Sequence, residues 1–520
     1  MRIVFQAATG TAGRELWVTD GTAAGTSLLL DIYGGIQSSQ LENFRSIGGG
    51  RVLFAADNGI NGTELWITDG TVAGTSMLNN IETATAPLSS APDNFLSLGN
   101  GQSIFDALSI TSGRELWVTD GTTAGTSLLA DIRPGASSTS FRPSSLLGTG
   151  TALVIADDGT NGRELWVTDG TAAGTSLLVD INPGPGSAIF NAPVSLGAGT
   201  AVFSAYTGTD GYELWVTDGT AAGTSMVLDI NPGAAGSDPL VFVSLGNGSA
   251  LFSASDSTNG RELWITDGSA AGTSLLLDID PGVAASNPQM LTVLGNGLTV
   301  FRAQTAADGN EIWVTDGTAL GTSLLVDIIP GSTGSTPNRL TAIGGGKAIF
   351  EADSLIYGIE LWVTDGTTAG TSMLLDIQPG NGSSVFAGHV PAALGNGKAI
   401  FAAYNSTYGH ELWVTDGTTA GTSLVTDILA GNASGEPREL ASLGNGQALF
   451  SAYQPGVGRE LWVTDGTAAG TSLMMDIVAG GYGSSPDHFS LLEPGRMLSR
   501  LFNADGWVGV SPICNTCGTK

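Results

Sequence analysis

An eight-residue phrase, Glu-Leu-Trp-Val-Thr-Asp-Gly-Thr, opens at Glu15 and returns with small changes at Glu64, Glu115, Glu164, Glu213, Glu262, Glu311, Glu360, Glu411 and Glu460. The steps between copies are 49, 51, 49, 49, 49, 49, 49, 51 and 49 residues. A period this regular means one supersecondary unit repeated along the chain, each copy burying its faces against its neighbours. It constrains the fold more than any other feature, and it makes most repeated residues structural.

Around Glu262 the unit reads as four short apolar runs separated by turn residues. An inner run, Phe242–Leu245, precedes Gly246-Asn247-Gly248. A second run, Ala250–Ala254, leads through a variable loop to a third, Glu262–Thr266. After Asp267–Gly272 comes an outer run ending at Asp278-Ile279, and Pro281-Gly282 opens a longer connection. Short alternating runs bounded by such residues are strands, and Asn-Gly predicts a type I′ hairpin between the inner and second strands. No segment carries a helical period. With 77 glycines the chain suits many tight turns. The expected fold is all-β: a β-propeller of four-stranded blades, as one closed ten-bladed ring, with two five-bladed propellers as the alternative.

The ends set the phase. Ile3–Ala7 is already a second strand, so the first blade lacks its inner strand, and a spare inner strand, His488–Leu492, follows the last copy. Pairing 488–492 with the N-terminal blade would close the ring and remove an open sheet edge. The expected division is residues 1–495 as propeller and 496–520 as a degenerate partial repeat (Met497–Val510) with a Cys-containing tail.

The repeated phrase resembles the bacterial ELWxxDGT-repeat family over roughly residues 3–492. Ile312 for Leu, Ser269 for Thr and Asn80 for Asp are the departures. The resemblance implies a propeller-like, exported protein and no particular reaction. Extracellular or cell-surface location is therefore expected, by an export signal not present in this chain: Met1–Phe5 reads as a strand and not as a signal peptide.

The net charge of −30 argues against nucleic acid, whose phosphates require basic patches. The motif Glu and Asp and the Asp of the later Asp-Ile pair account for 29 of the 48 acidic residues, so much of the charge is fixed by the repeat. No stretch is long and apolar enough to span a membrane.

Candidate chemistry is sparse. Tryptophans such as Trp17 and Trp264 would wedge between blades or, alternatively, stack on sugars. The turn aspartates Asp20, Asp69, Asp120, Asp169, Asp218, Asp267, Asp316, Asp365, Asp416 and Asp465 are calcium candidates; an Asx-turn is the plainer role for Asp before Gly, since calcium wants six to eight oxygens. Asp57-Asn58-Gly59 and Asp157–Gly162 are somewhat richer oxygen loops. His389, His410 and His488 are scattered, and Glu351 and Asp106 would need to meet across the ring to act together. No nucleophile elbow, zinc-type His pair or phosphate loop is present. No enzyme and no cofactor are expected. Cys514 and Cys517 form an isolated Cys-x-x-Cys, read as a local disulfide or a free pair.

The turns sort onto two faces. Gly-Asn-Gly and Thr-Asp-Gly-Thr turns share a nearly constant face; second-to-third loops and crossovers share a variable one. Loops on a rigid scaffold are where binding residues usually lie. Tyr206, Tyr212, Tyr357, Tyr404, Tyr408, His410 and Tyr453 are the candidate binding residues there. The function expected on this basis is non-catalytic binding or adhesion to an unidentified protein or glycan, with a structural assembly role as the alternative and a polymer-degrading hydrolase as a distant one.

Overall fold

A computed structural model describes residues 2–83, 88–139, 141–385 and 391–492. It contains ten four-stranded antiparallel sheets. Each inner strand touches the inner strand of the next blade, and the cycle returns to its start, so the blades form one closed ring. The two-propeller alternative is thereby excluded. Blade 1 combines Asp487–Leu491 as its inner strand with Ile3–Thr9, Gly13–Thr19 and Ser27–Leu30. Ile3 stands opposite Leu491 and Gln6 opposite Asp487, with a bulge between them. Blades 2 to 10 follow in order. Met497–Val510, Cys514, Cys517 and His389 lie outside the described residues.

Strand alternation explains how the blades pack. In blade 6, Phe252 stands opposite Trp264 across the second and third strands. Ala250, Phe252, Ala254 and Trp264 face blade 5, against Leu196, Val202, Leu214 and Ile230. The intervening residues, Leu251, Leu263 and Leu276, face blade 7, against Phe301, Ala303 and Trp313. One face of each blade is aromatic and the other aliphatic, so every junction joins unlike faces. Fully burying side chains of this size contributes about 1.5–3 kcal/mol each. The junction of blades 10 and 1 is built the same way, from Leu443, Leu449 and Leu461 against Phe5, Trp17 and Phe489.

One turn differs from its sequence reading. In Gly246-Asn247-Gly248 the positive φ angles belong to Gly246 (76°) and Gly248 (91°), and Asn247 has none. The Asn-Gly pair therefore makes no type I′ turn. Instead Asn247 accepts the Ser249 N–H on its own side-chain oxygen, at 3.1 Å.

Candidate functional site

The motif Glu is the first residue whose role the sequence did not disclose. All ten are fully buried. In blade 6, Glu262 accepts the Ile279 N–H (2.9 Å), the Ser286 N–H (2.8 Å) and the Ser286 hydroxyl (2.5 Å). The carboxyl thus clips both ends of the crossover that leaves its own blade. The Ser286 carbonyl then accepts the Gln304 N–H of blade 7, at 2.8 Å. One Glu–Ser pair therefore fixes the crossover and the junction at once. The same bond from the Ala8 N–H to the Ser484 carbonyl, at 2.8 Å, closes blade 10 onto blade 1. The sequence signal was a Ser 24 residues after most motif Glu residues. Burial raises these carboxyls above their ordinary range, to about 7 at Glu115, Glu164, Glu360 and Glu411.

The turn aspartates serve their own turns. Asp218 Oδ1 accepts the Thr220 N–H (2.9 Å) and hydroxyl (2.6 Å), while the Thr217 hydroxyl oxygen takes the Gly219 N–H (3.0 Å). These bonds hold the Asp218 carboxyl below its ordinary value. The hydrogen bond from the backbone N–H two residues on recurs at Asp20, Asp69, Asp120, Asp169, Asp267, Asp316, Asp365, Asp416 and Asp465. In the richer loops, Asp57 caps Gly59, and Asp158 caps Thr160 and Asn161. No cluster of three or more metal-ligating side chains occurs among the described residues.

The variable-face residues are largely taken up within their blades. Tyr206 and Tyr212 are cross-strand partners with ring centroids 5.1 Å apart, and Tyr404 and His410 repeat the pair at 5.1 Å. Tyr206, Tyr212, Tyr404, Tyr408 and His410 are half-buried, and Tyr357 and Tyr453 are exposed. Burial lowers the His410 ring below the usual histidine range. His488 contacts Gln6 at 2.8 Å within the closing strand. Asp106 and Glu351 each pair inside their own blade, with Arg114 (3.3 Å) and Arg339 (2.6 Å). Burial pushes Asp106 up to about 6.

A hollow of about 320 Å³ lies where the crossover leaving blade 2 meets the second-to-third loop of blade 3. This crossover belongs to one of the two 51-residue steps. Ile81, Glu82 and Thr83 form one wall, Ser109–Ser112 the opposite wall, and Trp117 and Leu128 complete the lining. Glu82 is 4% exposed and accepts the Ile110 N–H at 2.6 Å. The Ser109 and Thr111 hydroxyls are 2.9 Å apart. Trp117 Nε1 is buried and has no hydrogen-bond partner among the described residues, as is true of most of the motif tryptophans. The sequence could not show this site, because its walls come from neighbouring blades and, Trp117 apart, from positions outside the repeated phrase.

No protein-family model and no curated protein matches the chain. Solved structures do. A puromycin hydrolase is 13% identical, with 71% of this chain and 59% of that chain covered and a TM-score of 0.32. A structure from a study of two prolyl endopeptidases is 12% identical, with 71% and 53% covered and a TM-score of 0.35. TolB from Acinetobacter baumannii is 13% identical, with 56% and 66% covered and a TM-score of 0.25. The chain spans between half and three-fifths of the length of these peptidases. Such likeness transfers no activity. The adhesion role expected from the sequence is corrected by the geometry: Tyr206, Tyr212, Tyr404, Tyr408 and His410, five of the seven residues offered for it, are half-buried within their blades, and the matched peptidases, alike in fold alone, give it no support. Among the described residues no helix is long and apolar enough to cross a membrane.

Proposed function

We propose that the ring binds a small polyhydroxylated ligand, of the size of one or two sugar units, in the hollow between blades 2 and 3. The observation that carries this reading is the nearly buried Glu82 carboxyl beside the Trp117 indole in a hollow of about 320 Å³. That volume falls at the lower end of the range for small-molecule sites, about 300–1,000 Å³. A carboxylate accepts hydrogen bonds from ligand hydroxyls. The Ser109, Thr111 and Ser112 hydroxyls give and accept further ones, and an indole offers an apolar face for ring C–H groups together with a donor N–H. The reading takes the chain as a member of the ELWxxDGT-repeat family and as an exported protein, which meets glycans outside the cell.

Saturation-transfer NMR against a panel of monosaccharides and short oligosaccharides tests it. At least one sugar should bind, and Glu82→Gln should weaken it about tenfold, which is the worth of one charge-assisted hydrogen bond. Trp117→Phe should weaken it as well, and both variants should keep the parent's circular dichroism. Binding by no member of the panel, or binding indifferent to both substitutions, would remove the proposal.

A further inference from the structure

The ten Glu clips are not equal. Where a Ser stands 24 or 26 residues after the motif Glu, its hydroxyl reaches the carboxyl, as Ser286 does at Glu262. Blade 3 has Thr139 at this position, and Thr139 turns its hydroxyl to the Asp157 carbonyl of blade 4, at 2.9 Å. The Thr139 N–H goes to the Arg114 carbonyl, at 2.9 Å. Blade 4 has Ala188, which offers no hydroxyl and gives its N–H to the Arg163 carbonyl at 3.0 Å. Glu115 therefore keeps only the Ile132 N–H at 2.8 Å and a long contact from the Arg133 N–H at 3.4 Å, both on Oε2. Glu164 keeps the Ile181 N–H at 3.1 Å, also on Oε2. In both residues Oε1 is buried without a hydrogen-bond partner among the described residues. Glu411, which faces Gly435 in place of Ser, escapes this state because the Gly435 N–H reaches its Oε1 at 2.7 Å.

A buried carboxylate oxygen with no donor costs free energy as long as the group is charged, and a proton removes that cost. The charged residues acting on the two groups are Asp131 on Glu115 and Asp180 on Glu164, each from the crossover that the Glu clips. Both are acidic, so both further oppose ionisation. Glu115 holds the crossover into blade 4, and Glu164 holds the crossover out of it.

We propose that blade 4 is a proton-controlled opening of the ring: Glu115 and Glu164 carry protons while the ring is shut, and losing them loosens the two junctions that flank this blade. The sign follows from burial. Both groups sit above their ordinary value, near 7, so the stability they confer is complete below about pH 4.5 and is lost as pH rises through about 7. A ring opened at this blade would expose apolar blade faces there, while a junction whose Glu has donors on both carboxyl oxygens, such as that held by Glu262, keeps its clip.

Hydrogen-exchange mass spectrometry on the full chain, corrected for intrinsic exchange rates, tests this between about pH 6 and about pH 8.5, either side of the expected transition. Peptides over residues 131–139 and 180–193 should lose protection about tenfold more than the peptide over 278–288, whose Glu262 clip is complete. Glu164→Gln should make the 180–193 response independent of pH. Ala188→Ser, which restores the missing hydroxyl, should bring that junction close to the behaviour of the Glu262 junction; it keeps the test available if Glu164→Gln does not fold. An equal response at all three crossovers overturns the proposal. So does a response at 180–193 that survives both substitutions.

Discussion

Asp218 and Gly223 make the residue-scale argument testable. A Cβ on Gly223 would lie 2.1 Å from Asp218 Oδ1, so the glycine is required by the carboxyl that locks the turn and not by its own backbone angle. Gly223→Ala should cost about 1–3 kcal/mol, the usual price of overpacking. Asp218→Ala should cost about 1 kcal/mol through its lost bonds. The double variant should be less destabilised than their sum, because removing the carboxyl removes the clash. Strict additivity in urea denaturation would contradict this account of the turn. The Asx-turn was legible because Asp before Gly has a local role that adjoining residues reveal. The Glu262–Ser286 clip was not: within a strand a Glu reads as one more large side chain, and its partner lies in a crossover whose path the sequence does not trace.

Titration follows from the same residues. The buried motif Glu carboxyls lie above their ordinary value, so their contribution is complete below about pH 4.5 and is lost as pH rises above it, through about 7 at Glu115 and Glu411. Turn Asp carboxyls such as Asp218 and Asp267 lie below theirs, so their smaller, solvent-screened contribution is present above about pH 3.8 and is lost on further acidification. Melting temperature should therefore rise as pH is lowered from about 8 to about 5 and fall again below about 4. A melting temperature that climbs steadily with pH across neutrality would be the contrary result.

At the scale of elements, the strand Asp487–Leu491 carries the closure. Besides its ladder with Ile3–Thr9, it brings Asp487 to Arg14 at 2.7 Å and His488 to Gln6 at 2.8 Å, and it buries Phe489 against Phe5 with ring centroids 5.6 Å apart. Deleting the chain from residue 485 onward should expose a sheet edge on blade 1 and uncover the aromatic cluster there. Melting should drop by several degrees or the protein should aggregate, as checked by scanning calorimetry and light scattering. A deletion variant that melts like the full chain would refute the role given to this strand. The four strands were legible because each is a short apolar run between turn residues. The Asn247 turn was misread because a Gly on each side of Asn supplies the positive φ angles, and dipeptide preference alone could not assign them.

At the scale of the molecule, the regular period was enough to give a propeller, and the mismatched ends were enough to give its phase. The candidate site was hardly legible. Tyr206, Tyr404 and His410 stand out in a list of loop residues, yet the fold pairs them across strands within their own blades. The Glu82 hollow arises only when the crossover of one blade is laid against a loop of the next. One closed ring of ten blades is the claim on which the clips, the closing strand and the hollow all depend, and electron-microscopic class averages viewed down the axis test it most directly. The account predicts ten radial blades around a single axis, with the strand 487–491 beside 3–9 once resolution permits tracing. Two rings of five blades, or an arc with a gap between blades 10 and 1, would contradict it.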